Sequence, residues 1–231
     1  MAAVALSPLN ARFQEMAVAT AIVDQWQVAK TFSVDAIEVA QETVALADMS
    51  ASGKLLVQGM QADVFLAKAL AVPIVEIGKS VITDHIEIKV LVCRLRRDLF
   101  FISTASADFS VAQKLLNQQE HGNDDQITVT DVTHGRSELR LVGPESPNLM
   151  AKVCGLNFDL QCFVAGDARQ TSVAKTKQLV IRQDVGAIPA FSLIGGRSLG
   201  AYLWDTLMQA GADLGIKPLG FHDLHVLSEK R

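Results

Sequence analysis

Asp84 is the side chain in this sequence with the clearest chemical promise. Across residues 82–90 a two-residue repeat places Ile82, Asp84, Ile86, Ile88 and Val90 on one face and Thr83, His85, Glu87 and Lys89 on the other. A carboxylate on an apolar face is costly unless it is paired or hydrogen-bonded. Two readings follow. Asp84 is a strand-entry residue satisfied by nearby backbone, which is the commoner outcome of such a pattern, or it faces a ligand cavity and works there as an acid/base.

The remaining candidates carry less. Gly195-Gly196-Arg197-Ser198 ahead of a helical stretch is the only phosphate-cradle lookalike, and a hairpin exit followed by an N-cap explains it better. Neither a dinucleotide-type nor a P-loop glycine motif is present. His222 and His225 are three apart with no third ligand nearby, so a solvated tail is favoured over a metal site. Cys154 and Cys162 flank an apolar loop without an adjacent histidine to serve as base, and Cys93 reads as core.

Composition bounds the answer. The 231 residues are 49% apolar and 20% charged, ordinary for one large domain or two intimate ones, and long enough to bury a core. A net charge of -4, with no basic block larger than Arg94, Arg96 and Arg97, excludes any general attraction to nucleic acid. No apolar run approaches the ~20 residues of a membrane span, and no leader with a cleavage site opens the chain. Three cysteines without metal-ligand spacing suit a reducing, cytoplasmic setting with free thiols.

The elements that must position Asp84 follow from periodicity. Residues 47–70 read as a turn (Asp48, Ser50, Gly53), a strand at 54–58, and a helix carrying Phe65, Leu66, Ala69 and Leu70. Earlier, the spacing predicts a helix near 10–20, an irregular piece at 26–34 and a short helix over 34–46. Residues 99–103 form a partner strand after the Arg96-Arg97-Asp98 turn. A helix with Val111, Ala112, Leu115 and Leu116 is capped by Ser106 or Asp108 and stopped by His121-Gly122-Asn123. Strands at 127–133 and 138–142 precede a helix with Leu149, Met150 and Val153. Residues 178–183 and 190–194 make a hairpin around Asp184-Val185-Gly186. Ser198 caps a last helix to Ala210, with Leu199, Leu203, Leu207 and Ala210 on one stripe and Gly211 as its stop; residues 215–220 form a turn and the chain runs out. These alternations predict an α+β fold with antiparallel pairing, and no linker divides residues 1–231 into separate domains.

Four segments in order resemble the folate-binding portion of the aminomethyltransferase family, whose founding member is the glycine cleavage T-protein. They are Asp48-x-Ser50-x-x-Gly53 with the following strand and helix, residues 80–103 around Asp84, ELRLVGPESPNL at 138–149, and residues 191–220 ending in Gly-Ile-x-Pro-x-Gly. The resemblance implies two pseudo-related α+β halves with antiparallel sheets and flanking helices; in departure from the family pattern, no C-terminal barrel is expected within these residues. It implies tetrahydrofolate as cofactor, held at Asp84, Ser103 and Phe191, with Asp84 as the catalytic acid/base. The reaction implied is transfer of a one-carbon unit to the folate from an aminomethyl group on a lipoyl carrier protein. Leu193 stands where the family has its pterin-contact acid, His85 where a second Asp is usual, and Ala51 where His is common.

Residues 157–176 and 196–207 are similar instead to the gamma subunit of heterotetrameric sarcosine oxidase, a related fold without its own redox cofactor. That resemblance implies the alternative: a non-catalytic subunit partnered by a flavoprotein. Whether the chain is an enzyme stays open at this point.

Overall fold

The computed structural model describes residues 3–16, 18–73, 75–86, 88–119 and 126–229. In chain order, β1 (Ala5–Leu6), α1 (Asn10–Glu15), β2 (Ala19–Val23), β3 (Trp26–Thr31), α2 (Ala36–Glu42) and β4 (Ala45–Asp48) come first. Then follow β5 (Gly53–Gln58), α3 (Ala62–Leu70), β6 (Lys79–His85), β7 (Ile88–Arg96), β8 (Leu99–Thr104), α4 (Phe109–Gln118) and β9 (Thr128–Asp131). The chain closes with β10 (Arg136–Val142), α5 (Ser146–Val153), β11 (Ala168–Val173), β12 (Thr176–Arg182), β13 (Ala190–Gly196), α6 (Gly200–Ala210), β14 (Lys217–Leu219) and α7 (Phe221–Glu229). Two compact units result: Met1–Ala51 with Arg136–Ala165 and Gln170–Arg231, and Ser52–Gly135 with Gly166–Arg169.

In the first unit the main sheet runs β11-β12-β13-β10-β4-β14 among the described residues. Its β10–β13 register sets Leu139 opposite Leu193 and Leu141 opposite Phe191. With Leu46 and Val180 these residues make one apolar face, packed against Phe13 of α1, Leu149 of α5, and Leu203, Trp204 and Leu207 of α6. Each such side chain contributes roughly 1.5–3 kcal/mol by leaving water.

Several expectations change in this unit. The helix expected over 34–46 stops at Glu42, because Ala45–Asp48, buried at Ala45 to Ala47, is needed as a strand between β10 and β14. The helix expected near 10–20 ends at Glu15, and Ala19 and Thr20 instead open β2, which goes on through β-branched Ile22 and Val23. The expected irregular piece is β3, joined to β2 through Asp24 and Gln25 at φ 45° and 69°, the two left-handed residues of a tight hairpin loop. Ser198 caps nothing: it is exposed in a short 3-10 turn, and α6 begins at Gly200 without a side-chain cap. Leu199 is exposed rather than on the buried stripe. Within the turn expected over 215–220, Lys217–Leu219 form β14, parallel to β4, and the chain goes on into α7, which buries Leu224 and Leu227.

In the second unit the sheet runs β6-β7-β8-β5-β9, every pairing antiparallel. One face carries Leu55, Val57, Val90, Val92, Phe100 and Ile102 and is covered by Phe65, Leu66, Ala69 and Leu70 of α3 and by Ala112 and Leu116 of α4. Val111 is exposed, outside that core. Asp108 precedes α4 without capping it; its carboxylate accepts the Lys89 N–H at 3.3 Å. The expected His121-Gly122-Asn123 stop lies outside the described residues, as does Glu87.

The single strand expected over 82–90 is instead a hairpin. Ile86 has φ 47°, and β6 turns back into β7 with His85 opposite Ile88. A chain reversal there ends the shared face, so Asp84 lies across from Lys89 and no longer in line with Ile88 and Val90. The α+β arrangement of antiparallel sheets with flanking helices is otherwise as expected, and none of the sheets closes into a barrel among the described residues.

Candidate functional site

The chemistry-bearing residues of the second unit lie on its helix-free sheet face. Ile82, Leu91, Ser103 and Lys54 form one row across β6, β7, β8 and β5, and Asp84 and Lys89 form part of the next row on the same side. Strands are about 4.8 Å apart, so Asp84 and Ser103, two strands from one another, share the face at a separation on the order of 10 Å. Burial rises steeply along the row. Ile82 is 43% exposed, Ser103 is half-buried, and Lys54 is fully buried, its ammonium donating to the Ser52 carbonyl at 2.7 Å. Asp84 occupies the wet end and is exposed. This corrects its expected inward placement, and the cause is the turn at Ile86.

Sequence reasoning took Lys54 only as the start of an apolar strand. The available signal was a lysine inside Gly53–Gln58, a run otherwise built for burial. The Thr133 hydroxyl accepts the Lys54 N–H at 2.9 Å and donates back to the Lys54 carbonyl at 3.3 Å, holding this end of β5 in place. Cys93 shares the face but is chemically quiet, since burial pushes its thiol up to about 12.

The first unit holds a different set. Phe191 is fully buried, 5.6 Å from Phe158 and 5.9 Å from Phe163 between ring centroids, so it serves the core of that unit. Leu193 is fully buried beside it and offers no carboxylate. On the opposite side of the same sheet, Arg140 stands between Ser192 and Ala47. Its guanidinium donates to the Gln183 carbonyl at 2.7 Å. Burial lowers its pKa, while the Glu138 and Asp184 carboxylates oppose that shift.

Asp184, expected as a turn residue, forms a two-pronged pair with Arg182 at 3.0 and 2.8 Å. The free end of that guanidinium donates to the Leu160 and Phe163 carbonyls at 2.9 and 2.7 Å, pinning the loop after α5. His222 and His225 lie on the exposed side of α7, and no group of metal-ligating side chains occurs among the described residues. A cleft of about 490 Å³ in the second unit is lined by Gln58, Gly59, Met60, Gln61, Asp98, Gln126 and Thr128 and contains none of the expected site residues.

Asp84 and Ser103 are thus on one face of the second unit, whereas Phe191 is enclosed in the core of the first. Asp84 is exposed, the Phe191 ring is packed in the core of its own unit, and Leu193 carries no carboxylate.

Comparison with known proteins places the architecture. Residues 9–230 match the GCVT N-terminal domain. The chain belongs to the GCVT N-terminal domain family. A curated relative outside this chain, the 4-methylaminobutanoate oxidase (formaldehyde-forming) of Paenarthrobacter nicotinovorans, is 25% identical over 201 residues, which are 84% of this chain and 24% of that protein. Among solved structures, the glycine cleavage system aminomethyltransferase T of Bartonella henselae superposes with a TM-score of 0.83 at 16% identity, covering 98% of this chain and 62% of that one. A chain of the heterotetrameric sarcosine oxidase of Corynebacterium sp. U-96 superposes with a TM-score of 0.64 at 19% identity, covering 90% and 95%. This member of the GCVT N-terminal domain family therefore spans about a quarter of that curated relative and less than two thirds of the aminomethyltransferase. No helix of the described residues is long and apolar enough to cross a membrane.

Proposed function

We propose that this chain is a non-catalytic, subunit-type member of its family, which docks onto a larger amine-oxidising flavoprotein and does not itself transfer one-carbon units. The observation that carries this reading is the exposed carboxylate of Asp84, two residues from the hairpin turn. An acid/base acting on a folate nitrogen needs an enclosed site that sets its protonation and excludes water. The burial of Phe191 and Leu193 supports the same reading. So does the sarcosine oxidase chain, of which this chain covers 95%.

The competing reading is binding of tetrahydrofolate with transfer from a lipoyl carrier protein, and it rests on the order of the family motifs in the sequence. Co-expression with a flavoprotein subunit of the amine-oxidising class separates the two. The subunit reading expects flavin absorbance to co-elute with this chain in a stable complex. A chain that stays alone and binds folinic acid saturably contradicts it.

A further inference from the structure

The outer edge of β6 is partly filled by the chain itself. Ser80 donates its N–H to the Gly166 carbonyl at 2.7 Å, Ala168 donates to the Gly78 carbonyl at 2.9 Å, and Lys79 bridges antiparallel to Asp167. A stub of added strand therefore runs along the first residues of β6 and leaves at Gly166. Because backbone direction alternates, the outward N–H of Ser80 means that Ile82 and Asp84 also direct their N–H and C=O groups off the sheet.

Natural proteins blunt such edges with charged side chains, proline or a bulge. From Ile82 to Asp84 the one such device is the Asp84 carboxylate. Lys79 is engaged with Asp167 at 2.6 Å, β6 contains no proline, and its pairing with β7 has no register shift. The side chains flanking the open groups are Ile82, 43% exposed, and Ile86, 59% exposed. Asp84 has no hydrogen-bond or ion-pair partner among the described residues, with Lys89 across from it on β7.

We propose that the open edge at Ile82 and Asp84 takes an extended antiparallel segment of another polypeptide, carrying an aliphatic residue opposite Ile82 and a lysine or arginine opposite Asp84. Main-chain hydrogen bonds supply the attraction, and the two side-chain pairs set the register. A second copy fits poorly. Two-fold pairing about Thr83 sets each Asp84 against the other copy's Ile82, so both carboxylates lose water without gaining a counterion. This inference rests on the subunit reading for its biological partner and names where that partner makes contact.

The direct probe is a capped peptide with lysine and valine alternating on one face and threonine on the other, titrated into the full chain and followed by amide NMR. Saturable shifts and slowed hydrogen exchange at Ile82 and Asp84 are expected. Ile82→Pro removes an outward N–H without touching the β7 ladder and should weaken binding roughly tenfold, the scale of one lost hydrogen bond. Asp84→Lys should weaken it as well, and a glutamate version of the peptide should restore it, which keeps the test independent of whether the proline variant folds. Absence of shifts, equal shifts at β9 or β2, indifference to Asp84→Lys, or dimerisation through β6 would each overturn the proposal. If the flavoprotein complex forms normally with both variants, the edge assignment fails and the subunit reading stands. If the wild-type chain forms no complex, the subunit reading fails while the peptide result still decides the edge.

Discussion

Asp84 and Lys89 face one another across the β6–β7 hairpin, both exposed, with the turn at Ile86 just beyond them. Opposite charges in this setting are worth little, because water screens the pair and both side chains stay mobile. Asp84→Asn should therefore leave the unfolding free energy, read from urea titration, unchanged to within about 0.5 kcal/mol. A large change would mean that the carboxylate is tied into the fold.

Arg182 and Asp184 are the opposite case. Both side chains are largely buried, and the guanidinium also holds two loop carbonyls. Arg182→Met strands a carboxylate and frees Leu160 and Phe163, so a loss of roughly 3–5 kcal/mol is expected. Adding Asp184→Asn should cost less than the sum of the single changes, as measured by a double-variant cycle in urea.

The fold was legible wherever local pattern and burial agree. The helix carrying Phe65 and Leu66 follows from periodicity because it buries one face, while the strand at Gly53–Gln58 and the β12–β13 hairpin, buried on both faces, show as short apolar runs bounded by turn residues. The site was less legible for a physical reason. Residues 82–90 alternate through a turn whose left-handed position is a β-branched isoleucine, the residue type least expected there, so two short strands mimic one long one. Ala45 and Leu46 continue a helical spacing yet form a strand because the sheet needs them between β10 and β14. The sequence marks Asp184 only as a turn residue, and neither its pairing with Arg182 nor the carbonyls that the arginine reaches are indicated there.

Gly143 has φ +139°, and a Cβ there would meet the Thr43 carbonyl oxygen at 2.2 Å. Backbone lies on the far side of the contact, so little can yield. Gly143→Ala should destabilise by at least about 2 kcal/mol, read from thermal or urea unfolding.

The carboxyls give pH effects of opposite sign. Hydrogen bonds from Lys217 and Lys152 hold Asp35 and Asp213 below the usual carboxylate range. Their stabilisation is present above the unfolded value of about 3.9 and is lost as pH falls through the lower folded values. Burial raises Asp223, which accepts the Gly220 N–H at 3.2 Å, so the folded chain keeps that proton longer than the unfolded one and stability declines as pH rises from about 4. Asp223→Asn retains an acceptor. Its stability relative to wild type should improve between acid and neutral pH, as read from urea midpoints across that range.

Cys162 is exposed, Cys154 is buried, and Cys93 is buried with its thiol pushed up to about 12. A thiol reagent should modify Cys162 rapidly in the native chain and reach Cys93 only on unfolding. Mass mapping of the modified cysteine checks this.

Titration with folinic acid, followed through the buried Trp26 and Trp204 in wild type and in Asp84→Asn, tests the central claim most directly. The account predicts no saturable change in either protein. Saturable binding by the wild type that Asp84→Asn abolishes would contradict it, and would return the chain to the one-carbon transferases.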